Sequence, residues 1–285
     1  MTDLKKFSIA DLNLTLLTDG MFRLDGGAMF GVIPKKLWER RTESDSSNRI
    51  PLGLISLLVQ SPKENILIEA GIGDTLDEKL VKIYCIDHHD RLLDCLERAG
   101  LKTGDIDKVI LSHMHFDHIG NSTRKNEAGE FVPTFENAEY IYQKTEWDFA
   151  HNPCDLVSAS YIPHLFDPIE KSGQLRLIDG DVEITGGIRN QVTGGHTEGH
   201  QVLFIESGGE GAIFWGDLIP TSAHTDHPYI MGYDLWSNDT LEAKKELIPW
   251  VIKNDYISIW THQPTYRYGK IIEGEGKKKY EFEWF

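Results

Sequence analysis

The chain has 285 residues, of which 40% are hydrophobic and 26% charged, and its 45 acidic side chains against 29 basic ones give a formal net charge of −16. That length can bury a large core as one large domain or two small ones, with the composition of an ordinary soluble globular protein. So strong an acidic balance repels phosphate backbones and anionic lipid, which argues against nucleic-acid and membrane partners. Three cysteines, Cys85, Cys95 and Cys154, stand at no metal-like spacing and are too few for a disulfide framework, so a reducing cytoplasm is expected. The first twenty residues alternate polar and apolar without the apolar core of a signal peptide, and no apolar run reaches 18 residues. The triple lysine 277–279 reads as part of a solvated, charged tail.

In chain order, residues 12–17 alternate as a half-buried strand ending at the turn pair Asp19-Gly20. Residues 24–38, LDGGAMFGVIPKKLW, read as a glycine-rich loop entering a short helix near Pro34. A polar loop (42–48), a strand (53–60), a second strand (65–69) and a glycine-rich turn (70–74) follow. Residues 91–99 have helical periodicity and stop at Gly100, a C-cap residue. A short buried strand at 108–111 precedes LSHMHFDHIG, and another lies at 140–143. The stretch 146–170 is aromatic, proline-interrupted and less regular. Strands are expected at 175–178, 182–185, 191–193, 201–206, 212–215 and 256–260. An amphipathic helix at 239–251 would be capped by Asn238 or Asp239. Many strands among a few helices give an α/β layered fold, and no Ser/Gly/Pro linker divides it, so residues 1–285 form one domain.

Strand ends repeatedly deliver metal-ligand residue types. The strand at 108–111 runs into His113, His115, Asp117 and His118; GGH brings His196; GD brings Asp217; TH brings His262. One buried imidazole is usually a satisfied core group, whereas five with two aspartates just past strands point to a site. Imidazole and carboxylate suit zinc, iron or manganese without thiolate. On an extended chain His113 and His115 can reach one metal together, and Asp117 and His118, beyond a tight turn, a second. His196 could complete the first set and His262 the second, with Asp217 bridging. Two metals so placed can hold a hydroxide between them as nucleophile.

These residues resemble the metallo-β-lactamase fold hydrolases. Their H-x-H-x-D-H motif stands here as His113-Met114-His115-Phe116-Asp117-His118, with His196 in GGHTEGHQ, Asp217 in FWGDLIP, His262 in WTHQ and the element ILIEAGIGD at 66–74. The resemblance implies an αββα four-layer sandwich carrying two divalent metal ions, zinc first and manganese or iron as alternatives. It assigns His113, His115 and His196 to one ion, Asp117, His118 and His262 to the other, and Asp217 to both. It further implies that Asp117 orients the hydroxide and helps protonate the leaving group. Periplasmic β-lactamases, glutathione thioesterases, RNA-processing members and flavo-diiron proteins fit less well, for want of a signal peptide, a basic C-terminal site, basic modules and a flavodoxin domain respectively.

Residues 25–38, GGHTEGHQ and DLIPTSAH (217–224) look most like the YtnP-type quorum-quenching lactonases, whose relatives include methyl parathion hydrolases. Such lactonases place a tyrosine shortly after the bridging aspartate; here residues 218–224 hold none, leaving metal polarisation alone or help from His224. The expected activity is hydrolysis of a small ester or lactone of the N-acyl homoserine type. Thioester or phosphotriester hydrolysis and a non-hydrolytic metal or diiron protein are the alternatives. Met29, Phe30, Trp147, Phe149 and Tyr161 are candidates for an apolar acyl pocket. The oligomeric state stays open, a homodimer being admissible.

Overall fold

The computed structural model describes residues 3–276 and 279–285, so Lys277 and Lys278 of the triple lysine lie outside the described residues. Runs of alternating and fully apolar residues build two seven-stranded sheets. The first contains, in spatial order, Lys6–Ile9, Leu12–Asp25, Arg49–Gln60, Asn65–Ile68, Lys108–Ile110, Glu139–Gln143 and Leu175–Ile178. The second contains Glu183–Thr185, Ile188–Val192, Gln201–Ser207, Glu210–Phe214, Ile257–Ile259, Gly269–Glu273 and Tyr280–Trp284. Each sheet mixes antiparallel and parallel pairs. The first turns parallel from Asn65–Ile68 onward, and in the second Glu210–Phe214 runs parallel to Ile257–Ile259.

Strand alternation sorts the side chains into three cores. Leu57, Val59 and Ile110 face inward against Leu203, Ile205 and Phe214 of the other sheet. Their neighbours Leu58 and Val109 face outward with Leu92, Leu96 and Ile169 of the helical segments. On the far side, Val202, Phe204 and Ile213 pack on Leu247, Ile248 and Val251 of the helix Ser237–Lys253. Helix, sheet, sheet, helix is the αββα sandwich expected from the sequence. Among the described residues no helix is long and apolar enough to cross a membrane.

Several elements differ from the sequence reading. The strand at 12–17 does not end at Asp19-Gly20 but continues to Asp25, because the pair forms a bulge with a register shift between Thr18 and Met21. Gly20 has φ 92°, and a Cβ there would lie 2.1 Å from the Asp87 carbonyl oxygen. The expected loop at 24–38 contains the helix Gly26–Phe30, capped by Asp25, before the helix Lys35–Trp38. A helix, Lys144–His151, opens the stretch read as irregular. The long helix begins at Ser237 after Trp236, so neither Asn238 nor Asp239 caps it. The strands Lys6–Ile9, Gly269–Glu273 and Tyr280–Trp284 were not expected.

The bulge places a buried carboxylate beneath the glycine-rich turn. Asp19 accepts hydrogen bonds from the amides of Ile72 (2.9 Å) and Gly73 (2.7 Å), from Asn121 Nδ2 (2.8 Å) and from the Leu92 amide (2.9 Å). It thereby ties the turn to the segment following His118 and to the start of the helix Leu92–Arg98. Removing it leaves the three buried amides without an acceptor and Asn121 Nδ2 with the Ala70 carbonyl alone. Asp19→Ala is expected to lower unfolding free energy by about 3 kcal/mol or more, read from urea denaturation, whereas an unchanged midpoint would show that the turn does not need it.

Candidate metal centre

Short loops after the strands carry the polar cluster inward. Beyond Lys108–Ile110 the chain bends at Ser112, is extended at His115 and then turns into the single-turn helix Phe116–Ile119. That change of backbone separates the two histidine pairs. His113 Nε2, His115 Nδ1 and His196 Nε2 converge, with His115 Nδ1 3.0 Å from the first and 3.1 Å from the last. On the other side His118 Nε2 and His262 Nε2 lie 3.2 Å apart, with Asp117 Oδ2 3.7 Å from the former and 3.5 Å from the latter. Asp217 stands between the groups. Its Oδ2 is 3.3 Å from His196 Nε2, and its Oδ1 is 3.2 Å from His262 Nε2 and 3.6 Å from His118 Nε2. All seven residues are buried.

Outer partners fix the tautomers. His118 Nδ1 meets Glu69 Oε2 at 2.9 Å, His196 Nδ1 meets Asp234 Oδ1 at 2.9 Å, and His262 Nδ1 meets the Gly53 carbonyl at 2.9 Å. His113 Nδ1 lies 3.0 Å from Ser112 Oγ. With Nδ1–H donating outward to the acceptors of His118, His196 and His262, each Nε2 presents a lone pair to the interior. Lone pairs cannot satisfy one another, and Asp217 Oδ1 is a buried oxygen with no hydrogen-bond partner. Nitrogen and carboxylate donors converging in this way fit divalent cations of the zinc, manganese or iron kind. Three groups of potential ligands form there: His113, His115 and His196; His113, His118 and Asp217; Asp117, His118 and His262.

Electrostatics divide the histidines. Burial first, then neighbouring imidazoles, hold His113 and His115 well below the ordinary value. Burial also opposes charge on His118, but Asp117, Glu69 and Asp217 outweigh it and raise it to about 10. Cation binding there must therefore displace a proton. Asp217, despite burial, is held well below the usual carboxylate range by His262, His118 and His196.

The structure gives His224 a different occupation from the carbonyl-assisting one considered above. It is fully buried, with Nδ1 2.8 Å from Thr221 Oγ1 and Nε2 2.9 Å from the Met29 carbonyl, and it stacks on Phe30 at 4.4 Å. Both ring nitrogens are engaged, so none is left for a substrate. Met29 and Phe30 are core residues rather than pocket lining. Trp147, in the same core cluster as Tyr161 and about as buried, packs between Tyr142 and Phe166. Tyr161 does stand against the cluster, its ring 4.9 Å from that of His115, with Phe149 5.8 Å beyond it and the half-exposed Trp236 6.3 Å beyond Phe149.

Several residues around the cluster went unread in the sequence. Glu69 and Asp234 are the outer carboxylates, 49 and 38 positions from the histidines they hold. Lys244 is buried and its Nζ donates to the carbonyls of His224 (2.6 Å), Asp226 (3.0 Å) and Tyr229 (2.8 Å), pinning the loop that leads to Asp234. His200, the second histidine of GGHTEGHQ, accepts from the Asp217 amide at Nε2 (2.9 Å) and donates from Nδ1 to Thr193 Oγ1 (2.6 Å). Only His200 carried a local signal, since it sits in a segment already marked by His196.

A two-sheet sandwich whose loops bring a shared carboxylate between two nitrogen-rich clusters defines a class of metal-binding proteins. Residues 55–252 match the model of the metallo-beta-lactamase superfamily, and the chain belongs to that superfamily. A probable metal-dependent hydrolase from Staphylococcus aureus superposes with a TM-score of 0.88 at 32% identity, covering 97% of this chain and 98% of that one. AidC, a dizinc quorum-quenching lactonase, shares the fold with a TM-score of 0.79 at 23% identity, over 99% of this chain and 96% of its own. An N-acyl homoserine lactonase of Bacillus cereus is 31% identical over 176 residues, 58% of this chain and 63% of its own length. The matched stretch spans only 42% of the curated Bacillus thuringiensis lactonases, at 32% identity over 44% of this chain.

His200 and His224 predict the acid limb of stability. Burial above all holds both at about 3 in the fold, against an ordinary value of 6.5. The unfolded chain therefore takes up two protons that the fold refuses, and stability falls as pH drops from 6.5 toward 3. In urea titrations across that range, His224→Gln is expected to show a pH slope shallower by about one proton. An unaltered slope would mean that His224 titrates normally in the fold.

Proposed function

We propose that this superfamily member is a hydrolase acting through two divalent cations, and that its substrate is a lactone of the N-acyl homoserine type. The observation that carries the reading is Asp217, which turns one oxygen toward each nitrogen cluster. His113, His115 and His196 would hold one cation, Asp117, His118 and His262 the other, with Asp217 shared and zinc the first choice of metal. Bound cations would lower the pKa of a water and take up negative charge on the attacked carbonyl.

The protein's own groups have the remaining tasks. Asp117, at the rim of the second cluster, orients the attacking water, accepts its proton and passes that proton to the alkoxide released from the ring. Lactone and water thereby become a hydroxy acid, with no other reactant. Tyr161 and Phe149 supply an apolar wall beside His115 for an acyl chain, with Trp236 continuing it outward. His224 has a positioning role, joining the loop around Thr221 to Met29. The lactone reading draws support from the N-acyl homoserine lactonase relatives, and the natural role that follows is quorum quenching. A cytoplasmic location suits the unpaired thiols of Cys85, Cys95 and Cys154.

Metal-quantified protein assayed against N-acyl homoserine lactones, thioesters and phosphotriesters tests the reading. Lactones are expected to be opened, chelation to abolish turnover and zinc to restore it. His115→Ala should lose more than about 100-fold in kcat/KM, beyond what loss of an outer partner costs. Cleavage of thioesters or phosphotriesters with every lactone intact would overturn the substrate. Full activity in His115→Ala would overturn the metal mechanism.

A further inference from the structure

Glu146 is a buried carboxylate that the proposed reaction does not use. It lies in the first turn of the helix Lys144–His151, at 1% exposure. Its Oε1 accepts from the Met114 amide at 3.0 Å and from the Tyr161 hydroxyl at 3.0 Å, while Oε2 accepts from the Thr197 hydroxyl at 2.6 Å. Met114 separates His113 from His115, and Thr197 follows His196 directly. Three donors from three distant chain segments thus meet on one side chain, and no lysine or arginine ion pair holds it among the described residues. The contact is also tight, since a Cβ on Gly199 would lie 2.4 Å from the Glu146 amide nitrogen. An anion buried without a counterion is costly unless donors fix it in place.

We propose that Glu146 is the positioning residue of the first nitrogen cluster: it sets the distance between the loop of His113 and His115 and the loop of His196, and holds Tyr161 against His115. The proposal rests on the metal-binding reading above. The three imidazoles come from two loops, and Glu146 joins the backbone beside one pair to the residue beside the third. Outer acceptors hold rings in both clusters, Asp234 on His196 and Glu69 and the Gly53 carbonyl on His118 and His262, but among the described residues Glu146 makes no hydrogen bond to the second. Loss of the Glu146 carboxylate therefore loosens one metal position and spares the other. Loss of an outer-layer partner typically weakens metal binding by about 10–100-fold.

Calorimetric titration of metal-free wild type, Glu146→Ala, Glu146→Gln and Thr197→Val with Zn2+ and Co2+ tests this, with visible absorption of the Co2+ forms and melting of the metal-free proteins alongside. Glu146→Ala is expected to bind one equivalent about 10–100-fold more weakly and the other within about threefold of wild type, with an altered Co2+ spectrum. Thr197→Val should show the same pattern more mildly. Glu146→Gln, which keeps an acceptor for Met114 and Tyr161 and donates to Thr197, should stay near wild type. Wild-type affinity at both positions in Glu146→Ala would overturn the proposal, as would equal weakening of both in step with a lower melting temperature. Should Glu146→Ala not fold, unchanged affinities in Thr197→Val would overturn it. A wild type that takes up a single ion would sink the two-cation reading; Glu146 would then stand or fall on whether its loss weakens that ion. Binding is read without substrate, so a failed lactone assay leaves this result intact.

Discussion

Imidazole nitrogens whose lone pairs are brought within about 3 Å of one another in a buried space are the constraint around which this molecule is arranged. In a buried space such lone pairs repel and lose the water that would otherwise solvate them. Asp117 and Asp217 offset part of that cost by attracting His118, His196 and His262, but not the crowding of His113, His115 and His196. The surrounding fold must impose it, and a cation must offset it.

The imposition is visible layer by layer. Parallel strands end together, so the loops after Lys108–Ile110, Glu210–Phe214 and Ile257–Ile259 open toward the same space. Outer acceptors then turn each ring: Glu69 for His118, Asp234 for His196, a backbone carbonyl for His262. A third layer fixes those partners. Glu69 also accepts from the Ser112 amide at 2.8 Å, and Lys244 pins the loop leading to Asp234. Asp19 and Glu146 serve the same end from beneath, one under the glycine-rich turn and one between the ligand loops. Four buried carboxylates thus act on the histidines without being among the proposed ligands.

The candidate ligands were legible as a cluster in the sequence because chemistry concentrates them: an H-x-H-x-D-H run is both rare and local, and apolar runs mark the strands that deliver it. The layers were legible for the same reason, through apolar periodicity. What escaped the sequence depends on distance. Glu69, Asp234 and Glu146 look like any surface acid until the fold places each beside a residue tens of positions away. Asp19-Gly20 has the composition of a turn, but the strands on both sides continue pairing, so a bulge wins over a reversal. Met29 and Phe30 carried no mark to separate a core helix from a pocket wall. Of the two C-terminal strands, Tyr280–Trp284 (YEFEW) alternates aromatic and acidic residues and could have been read as a strand, whereas Gly269–Glu273 (GKIIE) lacks a clear alternation.

Anomalous X-ray diffraction from crystals of the zinc-loaded protein tests the central claim most directly. Two zinc peaks are expected roughly 3.5–4 Å apart, one among His113, His115 and His196 and one among Asp117, His118 and His262, with Asp217 touching both. A single peak, or zinc bound elsewhere with these nitrogens left bare, would contradict it.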